Sequence, residues 1–229
     1  MLHVSRFKNL HAGQRCVIVC NGPSLNAMDL RFLRREVVFG MNKIHLGLDT
    51  FGFYPRYLVA VNTLVVEQSR AELAAMSCIK FVSTRAASHL PKDAFTYQLP
   101  IIGPPTMFST DIAQGVREGG TVTHVALQIA HFMGFSTVVI IGMDHRYSFD
   151  GKPHQVKHLS GPDVNHFSPL YFAGKDWMNP DLLRSEKSYS AARRIFEAAG
   201  KRVVDATVDG ACQVFAKADY KQVFGLGVA

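Results

Sequence analysis

Residues 15–25, RCVIVCNGPSL, constrain the fold of this chain more than any other stretch. Residues 16–20 form a short apolar run rich in β-branched side chains, which is typical of a strand buried in a parallel sheet. Gly22 and Pro23 end that strand, because glycine permits backbone angles that other residues resist and proline has no N–H to donate. Ser24 is a favourable N-cap for the short helix predicted over residues 25–34.

A strand, a glycine turn and a helix N-terminus together gather free backbone N–H groups over an anion. One interpretation is therefore a nucleotide or phosphate pocket formed by Asn21, Gly22, Pro23 and Ser24 at the carboxyl end of the first strand. The other interpretation is an ordinary connection between a strand and a helix, since the spacing matches neither the dinucleotide-binding fingerprint nor the P-loop.

Apolar runs and helical periodicity alternate along the rest of the chain. Further strands are predicted at 36–41, 57–61, 79–83, 95–99, 137–141 and 202–206, and helices at 64–76, 121–132, 180–199 and 217–224. Asn179 is the expected N-cap of the third of these helices, with Pro180 at its first position. This alternation predicts an α/β fold, a single domain over residues 1–229 whose largely parallel, twisted sheet is flanked by helices. Residues 145–180 combine few apolar runs with many glycines, prolines and histidines, which predicts a lid insertion.

Composition limits the partners and the location. The net charge of +7 favours anionic partners, but no basic run carries interleaved aromatic residues, so nucleic acid is not an expected partner. No apolar stretch reaches the roughly 18–20 residues of a membrane span, and the first residues lack the apolar segment of a signal peptide. We therefore expect a cytoplasmic protein, with peripheral membrane association and homo-oligomerisation left open. The four cysteines show no CxxC spacing, which favours reduced, buried thiols over metal ligands.

Small polar residues follow four of the predicted strands, namely Asn21, Asn42, Asn62 and Asp144. In an open α/β sheet the carboxyl ends of the strands line the ligand crevice. An amide donates and accepts hydrogen bonds, so it suits a base edge, a ribose or a sugar hydroxyl, although a single asparagine is also a common turn former. Asp144 is a candidate for holding a magnesium ion or a ligand hydroxyl, or for capping its own turn.

A second candidate anion site is formed by Gly119, Gly120 and Thr121, which precede the predicted helix at 121–132. Two glycines there let a phosphate approach the first helical N–H groups, and the alternative is a plain helix start. The predicted lid holds four of the ten histidines, His145, His154, His158 and His166. Histidine suits acid–base chemistry near neutral pH, and the spacing has no metal-site signature, so no metal ligands are predicted.

Several of these motifs resemble two related families, the family 42 bacterial sialyltransferases and the MptE-like family. The shared motifs are CNGPSL at 20–25, Asn42, Asn62, GGTV at 119–122, MGF at 133–135 and IGMD at 141–144. Archaeal MptE-like proteins are 6-hydroxymethylpterin diphosphokinases, and bacterial members often accompany genes of surface glycan or flagellin glycosylation. The bacterial branch is the closer likeness, through His145, NHF at 165–167, YF at 171–172, PDL at 180–182 and VDATVDG at 204–210.

The resemblance implies a Rossmann-like, nucleotide-dependent transferase. The sialyltransferase likeness implies that Asn21, Asn42 and Asn62 hold a CMP-activated, sialic-acid-like sugar without a metal, and that Thr121 lies near its phosphate or carboxylate. His166 is the expected general base, and His145 and Asp144 are the other catalytic candidates. Tyr147 and Tyr171 stand in for the family's lid tyrosines, which help the nucleotide phosphate leave, whereas Leu170 stands near the position of its lid histidine.

The implied partners are a nucleotide-sugar donor and a glycan or protein acceptor in surface polysaccharide biosynthesis, with no cofactor. Two alternatives remain open. One is an ATP-dependent diphosphotransferase resembling 6-hydroxymethylpterin diphosphokinase, which would require Mg²⁺ to neutralise the phosphate charge. The other is a nucleotide-binding module without catalysis.

Overall fold

A computed structural model describes residues 3–227 of the chain. Its strands, numbered along the chain, are β1 (Arg15–Val19), β2 (Val38–Met41), β3 (Tyr57–Ala60), β4 (Ile79–Ser83), β5 (Thr96–Leu99), β6 (Thr137–Ile141), β7 (Val156–Leu159), β8 (Lys175–Met178), β9 (Arg202–Asp205) and β10 (Ala216–Lys217). Within the described residues, eight of them form one sheet in the order β10-β9-β6-β1-β2-β3-β4-β5. All neighbouring strands of this sheet are parallel, which confirms the predicted α/β fold.

Helices cover both faces of the sheet. The α-helices are α1 (Leu48–Phe51), α2 (Thr63–Gln68), α3 (Arg70–Ala75), α4 (Val122–Phe132), α5 (Leu182–Ala198) and α6 (Tyr220–Val223). Short 3-10 helices occupy Val4–Phe7, Pro23–Ala27, Leu30–Arg35, Ile44–Gly47 and Ala87–His89. None of the helices in residues 3–227 has the length and apolar character required to cross a membrane.

Strand β1 is buried on both faces, as its continuous apolar run predicts. Cys16 and Ile18 belong to the core cluster that includes α4 and α5, and Val17 and Val19 belong to the cluster on the opposite face. The chain order reverses at β1, which lies between β6 and β2. Such a switch point opens a crevice at the carboxyl ends of the strands, and this crevice holds the candidate site.

The predicted helix over residues 25–34 is wrong. Two 3-10 helices replace it, and Met28, between them, has extended backbone angles. Asp29 starts the second helix, because its carboxylate accepts the backbone N–H of Arg31 at 3.1 Å. Ser24 lies inside the first 3-10 helix and is not an N-cap.

The predicted helix over 64–76 is also interrupted. Asn62 caps α2, and Ser69 leaves helical geometry with φ −125° before α3 begins. Val66 and Leu73, on either side of this break, are both fully buried. The break therefore allows both short helices to pack against the sheet.

The segment from 145 to 180 is not entirely loop, because β7 and β8 pair as an antiparallel hairpin within it. Helix α5 begins two residues later than predicted. Its N-cap is Asp181, whose carboxylate accepts the N–H of Arg184 at 2.9 Å. The amide of Asn179 instead donates to the main-chain oxygens of Asp150 and Lys152 and so joins two parts of this segment.

The C-terminal part also differs from its prediction of a helix over 217–224. Ala216 and Lys217 form the edge strand β10 beside β9, and the helix covers only Tyr220–Val223. The Lys217 ammonium lies 2.5 Å from a buried Asp205 carboxylate oxygen, which fixes the edge strand. The four cysteines are buried free thiols, as expected.

Candidate active site

A cleft of about 600 Å³ opens where the carboxyl ends of β1, β2, β3 and β6 meet the segment from 145 to 180. It brings together most of the residues that the sequence singles out. The predicted residues on its walls are Asn21, Gly22, Asn42, Asn62, Gly120, Thr121, Asp144, His145, Tyr147, His166 and Tyr171. Pro23, Ser24 and Gly119, which the sequence also singles out, are not among the lining residues.

Two amide oxygens on the cleft wall have no partner among the residues that the structure describes. The Asn21 side chain is 8% exposed, and its Nδ2 donates to the main-chain oxygen of Met41 at 3.1 Å. The Oδ1 atoms of Asn21 and Asn42 are buried and accept no hydrogen bond within residues 3–227. A buried acceptor left unpaired costs about 1–3 kcal/mol, so these two oxygens suit hydrogen-bond donors of a ligand.

Asn62 differs from the other two asparagines. Its Oδ1 accepts the backbone N–H groups of Leu64 at 2.9 Å and Val65 at 3.4 Å, as the N-cap of α2. Its oxygen is therefore already paired, and only its amide N–H groups are left for a ligand. For the Asn62 oxygen, the alternative interpretation of a turn-forming asparagine is therefore the correct one.

A carboxylate of the chain fills the anion position expected at the first glycine turn. Asp144 Oδ1 accepts the N–H of Ser24 at 3.0 Å, and Asp144 Oδ2 accepts the Ser24 hydroxyl at 2.7 Å. A Cβ atom on Gly22 would collide with this carboxylate, so the close approach requires glycine. A ligand phosphate at this turn would have to displace Asp144 from Ser24.

The second glycine turn leads directly into α4. Thr121 is its N-cap, and the Thr121 hydroxyl accepts the N–H of Thr123 at 3.3 Å and lies 3.2 Å from the Tyr189 hydroxyl. Gly119 accepts a hydrogen bond from the Ser188 hydroxyl at 2.9 Å, which ties the turn to α5. The aliphatic part of Arg184 packs against Gly120, so a guanidinium-bearing side chain also lines this part of the cleft.

His166 forms a pair with a buried carboxylate that the sequence analysis did not identify. Its Nδ1 lies 2.8 Å from Asp163 Oδ2, and its ring stacks on Tyr171 with centroids 4.0 Å apart and planes 5° apart. A carboxylate accepts only, so this bond assigns the proton to Nδ1 and leaves a lone pair on Nε2. Nε2 has no protein partner within residues 3–227. The pair thus has the arrangement of a general base with a fixed tautomer.

His145 makes a second histidine–carboxylate pair in the same cleft. Its Nε2 lies 3.0 Å from Glu186 Oε1, and its backbone has a φ of 54° in the left-handed region. Glu186 comes from α5, far along the chain from His145, so no local motif revealed the contact. His154 and His158 pair in the same way with Asp181 at 3.1 Å and Asp176 at 3.0 Å.

Lys43 is a further residue that the sequence analysis missed. Its side chain is 1% exposed, and its ammonium donates to the Tyr171 main-chain oxygen at 2.7 Å and to Gln68 Oε1 at 2.9 Å. The ammonium also lies 4.2 Å from the centroid of the Phe172 ring. Burial lowers the pKa of Lys43 to about 8 and raises the pKa of the Tyr171 phenol.

Three carboxylates line the cleft, and each one has a partner. Asp144 bonds Ser24, Asp181 lies 3.3 Å from Arg184 Nε, and Glu118 lies 3.6 Å from Arg85. In the part of the chain that the structure describes, no three histidine, cysteine or acidic side chains gather as metal ligands.

Comparisons with known proteins give one family and a shared fold. The sequence model of a family described as 6-hydroxymethylpterin diphosphokinase MptE-like matches residues 1–150. No curated protein matches the sequence.

Two solved structures share the fold. The Maf glycosyltransferase from Magnetospirillum magneticum AMB-1 has a TM-score of 0.56 and 14% identity, over 95% of this chain. This chain spans only 37% of the length of that protein. The sialyltransferase CstII from Campylobacter jejuni, in complex with the substrate analogue cytidine-5'-monophosphate, has a TM-score of 0.50 and 11% identity. That match covers 90% of this chain and 85% of CstII.

Proposed function

Because the chain belongs to the MptE-like family, we propose that it is a transferase whose strand-end cleft binds a nucleotide-activated donor. The observation that carries this proposal is the presence of two kinds of group on one cleft wall. Asn21 and Asn42 present buried, unpaired acceptors, and the His166–Asp163 pair presents a base with a free lone pair. The two asparagine oxygens suit recognition of a ligand, and the His166–Asp163 pair suits abstraction of a proton.

The leading reaction is glycosyl transfer from a CMP-activated, sialic-acid-like sugar to a hydroxyl of a glycan or protein. Amide oxygens accept hydrogen bonds from a cytosine amino group or from ribose hydroxyls, which fits the unpaired atoms of Asn21 and Asn42. The fold likeness to two glycosyltransferases, one of them bound to cytidine-5'-monophosphate, supports this choice of donor.

The proposed step uses His166 as general base. As the acceptor oxygen attacks the anomeric carbon, its proton passes to His166 Nε2, and the bond from that carbon to the CMP phosphate oxygen breaks with its electron pair. Asp163 stabilises the resulting imidazolium, since it already holds the Nδ1 proton at 2.8 Å. The α4 N-terminus and Arg184 lie on the cleft wall, where they favour the negative charge of the departing phosphate.

The family description favours a second candidate, diphosphate transfer from ATP to a pterin alcohol. Such a transfer normally relies on Mg²⁺ bridging the phosphates, held by one or two carboxylates. Asp144 is the carboxylate at a strand end, and both of its oxygens already accept hydrogen bonds from Ser24. The residues of this cleft therefore fit a magnesium–ATP complex less well than a CMP-sugar. A nucleotide-binding module without catalysis is the third candidate.

Nucleotide binding separates these candidates. Isothermal titration and thermal shift with CMP, CDP, UDP, ATP and GTP, each with and without Mg²⁺, should show metal-independent binding of the cytidine nucleotides. Binding of ATP with Mg²⁺ and none of CMP would reverse the order of the first two candidates. Binding of CMP without turnover of any CMP-sugar would favour the module.

A further inference from the structure

A second cavity lies beside the cleft, against helix α5. Its volume is about 740 Å³, and we call it the α5 groove. One wall is the segment 106–108, and the other is a face of α5; the helix residues that line it are Leu183, Glu186, Lys187, Ser190, Ala191, Arg194 and Ile195. None of these residues apart from Glu186 contributes to the proposed chemistry.

Glu186 joins the groove to the cleft. It lines the α5 groove, and its Oε1 atom lies 3.0 Å from the Nε2 atom of His145, which lines the cleft. The groove and the cleft are thus joined by one direct side-chain contact. A chain lying in the groove would pass beside a residue that contacts the cleft lining.

The groove has a small excess of positive charge, because Lys187 and Arg194 outnumber Glu186 on its lining. Lys187 and Arg194 are exposed, and neither has a carboxylate partner within residues 3–227. They are seven residues apart on one side of a helix, or about 10 Å along its axis. The carboxylate on the lining, Glu186, is already engaged with His145.

The groove also carries apolar anchoring points. Leu183 is 73% exposed and Met107 is 52% exposed, and both line the groove together with the partly buried Phe108. Methionine and arginine are enriched in the centres of protein interfaces, and a peptide in a groove uses such side-chain anchors together with complementary charge.

We propose that the α5 groove binds an acidic segment of a protein acceptor and presents a nearby hydroxyl of that protein to the cleft. This inference rests on the proposed transferase function and assigns its acceptor class. Two unpaired cations select negative charge, and Leu183 with Met107 selects an apolar side chain beside it. A membrane surface fits less well, because it requires a broad apolar helix face and this face exposes one large apolar side chain, Leu183.

Fluorescence anisotropy with labelled 12-residue peptides tests the inference. One peptide set contains a central serine flanked by alternating Leu and Asp or Glu, and a control set carries Lys in place of the acidic residues. The acidic set should bind and should weaken as salt rises, whereas the basic set should not bind. The variant Lys187→Glu/Arg194→Glu should lose at least tenfold in affinity for the acidic set.

The matched control is Lys8→Glu/Lys221→Glu, which makes the same change in net charge at two exposed lysines outside the groove. It should change peptide affinity less than twofold, and both double variants should keep the wild-type affinity for CMP. Equal peptide affinities in the two variants would overturn the inference. So would groove-dependent binding of phosphatidylglycerol vesicles or of an anionic oligosaccharide in place of the peptides. If the wild-type protein does not bind CMP, only the proposed donor is refuted, since the peptide measurement requires no nucleotide.

Discussion

The Lys43 ammonium donates a hydrogen bond to the main-chain oxygen of Tyr171 at 2.7 Å, and this contact joins the end of β2 to the lid. Tyr171 in turn stacks on His166 with ring centroids 4.0 Å apart. The position of the proposed base therefore depends on a lysine that comes directly after a strand-end asparagine. This relationship connects the end of β2 to the proposed lid and to the proposed proton transfer.

Lys43→Met should release the lid. A hydrogen bond from a charged donor contributes about 1.5–3 kcal/mol, so its loss should speed amide hydrogen exchange around Tyr171 by at least tenfold. Adding CMP to the wild type should slow exchange in residues 145–178, because ligand orders the lid. Lys152→Met, an exposed change in the same segment, is the control. If neither Lys43→Met nor saturating CMP changes the rate of amide hydrogen exchange in this segment, the segment is not a lid.

Asn42→Gly should weaken CMP binding by about tenfold or more, because the variant loses an amide that a buried ligand group would pair with. Glycine is the informative replacement, since Asn42 has a φ of 49° and glycine tolerates that angle. Asn9→Gly is the matched control, because Asn9 has a φ of 55° and lies outside the cleft. Titration calorimetry measures both variants, and equal affinities for CMP would remove Asn42 from the nucleotide site.

The sequence predicts the framework of the site well, because two local signals agree there. The apolar runs of β1 and β6 identify central strands buried on both faces, and the polar residue after each strand then has to lie at the crevice. Asn21 and Asp144 lie there as expected. These inferences require only the period of a strand and the parallel direction of the sheet.

The partners of the site residues could not be predicted in this way. Glu186 reaches His145 from a helix 41 residues further on, and Lys43 reaches Tyr171 across 128 residues. A periodicity argument gives the face on which a residue lies but not the residue that it meets across the fold. Asp163 is different, because an acidic residue three positions before a histidine in the same lid was a visible signal that the sequence analysis did not use.

His131→Leu should stabilise the protein, although most changes of a residue packed in the interior destabilise it. Neither ring nitrogen of His131 has a partner within the described residues, and the ring packs edge to face against Phe108 and Phe196. Unpaired buried polar atoms cost free energy, so urea denaturation at pH 7 should show a gain of about 1 kcal/mol. His124→Leu is the contrast, because His124 Nε2 bonds the Met107 oxygen at 2.8 Å and its loss leaves that oxygen unpaired.

The same variant should change the response to acid. Burial lowers the pKa of His131 to about 4, whereas an unfolded histidine titrates near 6.5. Between these values the unfolded chain binds more protons than the folded chain, so the free energy of unfolding falls as the pH falls from about 6.5 to 4. His131→Leu should lose less stability than the wild type across this window. A parallel decline in both proteins would show that His131 does not titrate as a buried group.

The last prediction concerns the His166–Asp163 pair, whose parts should act as a unit. His166→Ala should lower kcat with a CMP-sugar by roughly a hundredfold and leave donor affinity nearly unchanged, if Nε2 takes the acceptor proton. Asp163→Asn should also lower kcat. The asparagine amide donates a hydrogen bond to Nδ1, so the imidazole proton moves to Nε2, which can then no longer accept the proton of the acceptor. The double variant should then be little slower than His166→Ala, since Asp163 acts only through the imidazole.

The control is His158→Ala, which removes a histidine–aspartate pair of similar geometry from the exposed hairpin, where His158 lies 3.0 Å from Asp176. This variant should leave kcat unchanged. Additive losses in the double variant would show that Asp163 acts on its own. Wild-type turnover in His166→Ala would remove that histidine from the mechanism, and His145 with Glu186 would become the pair to test.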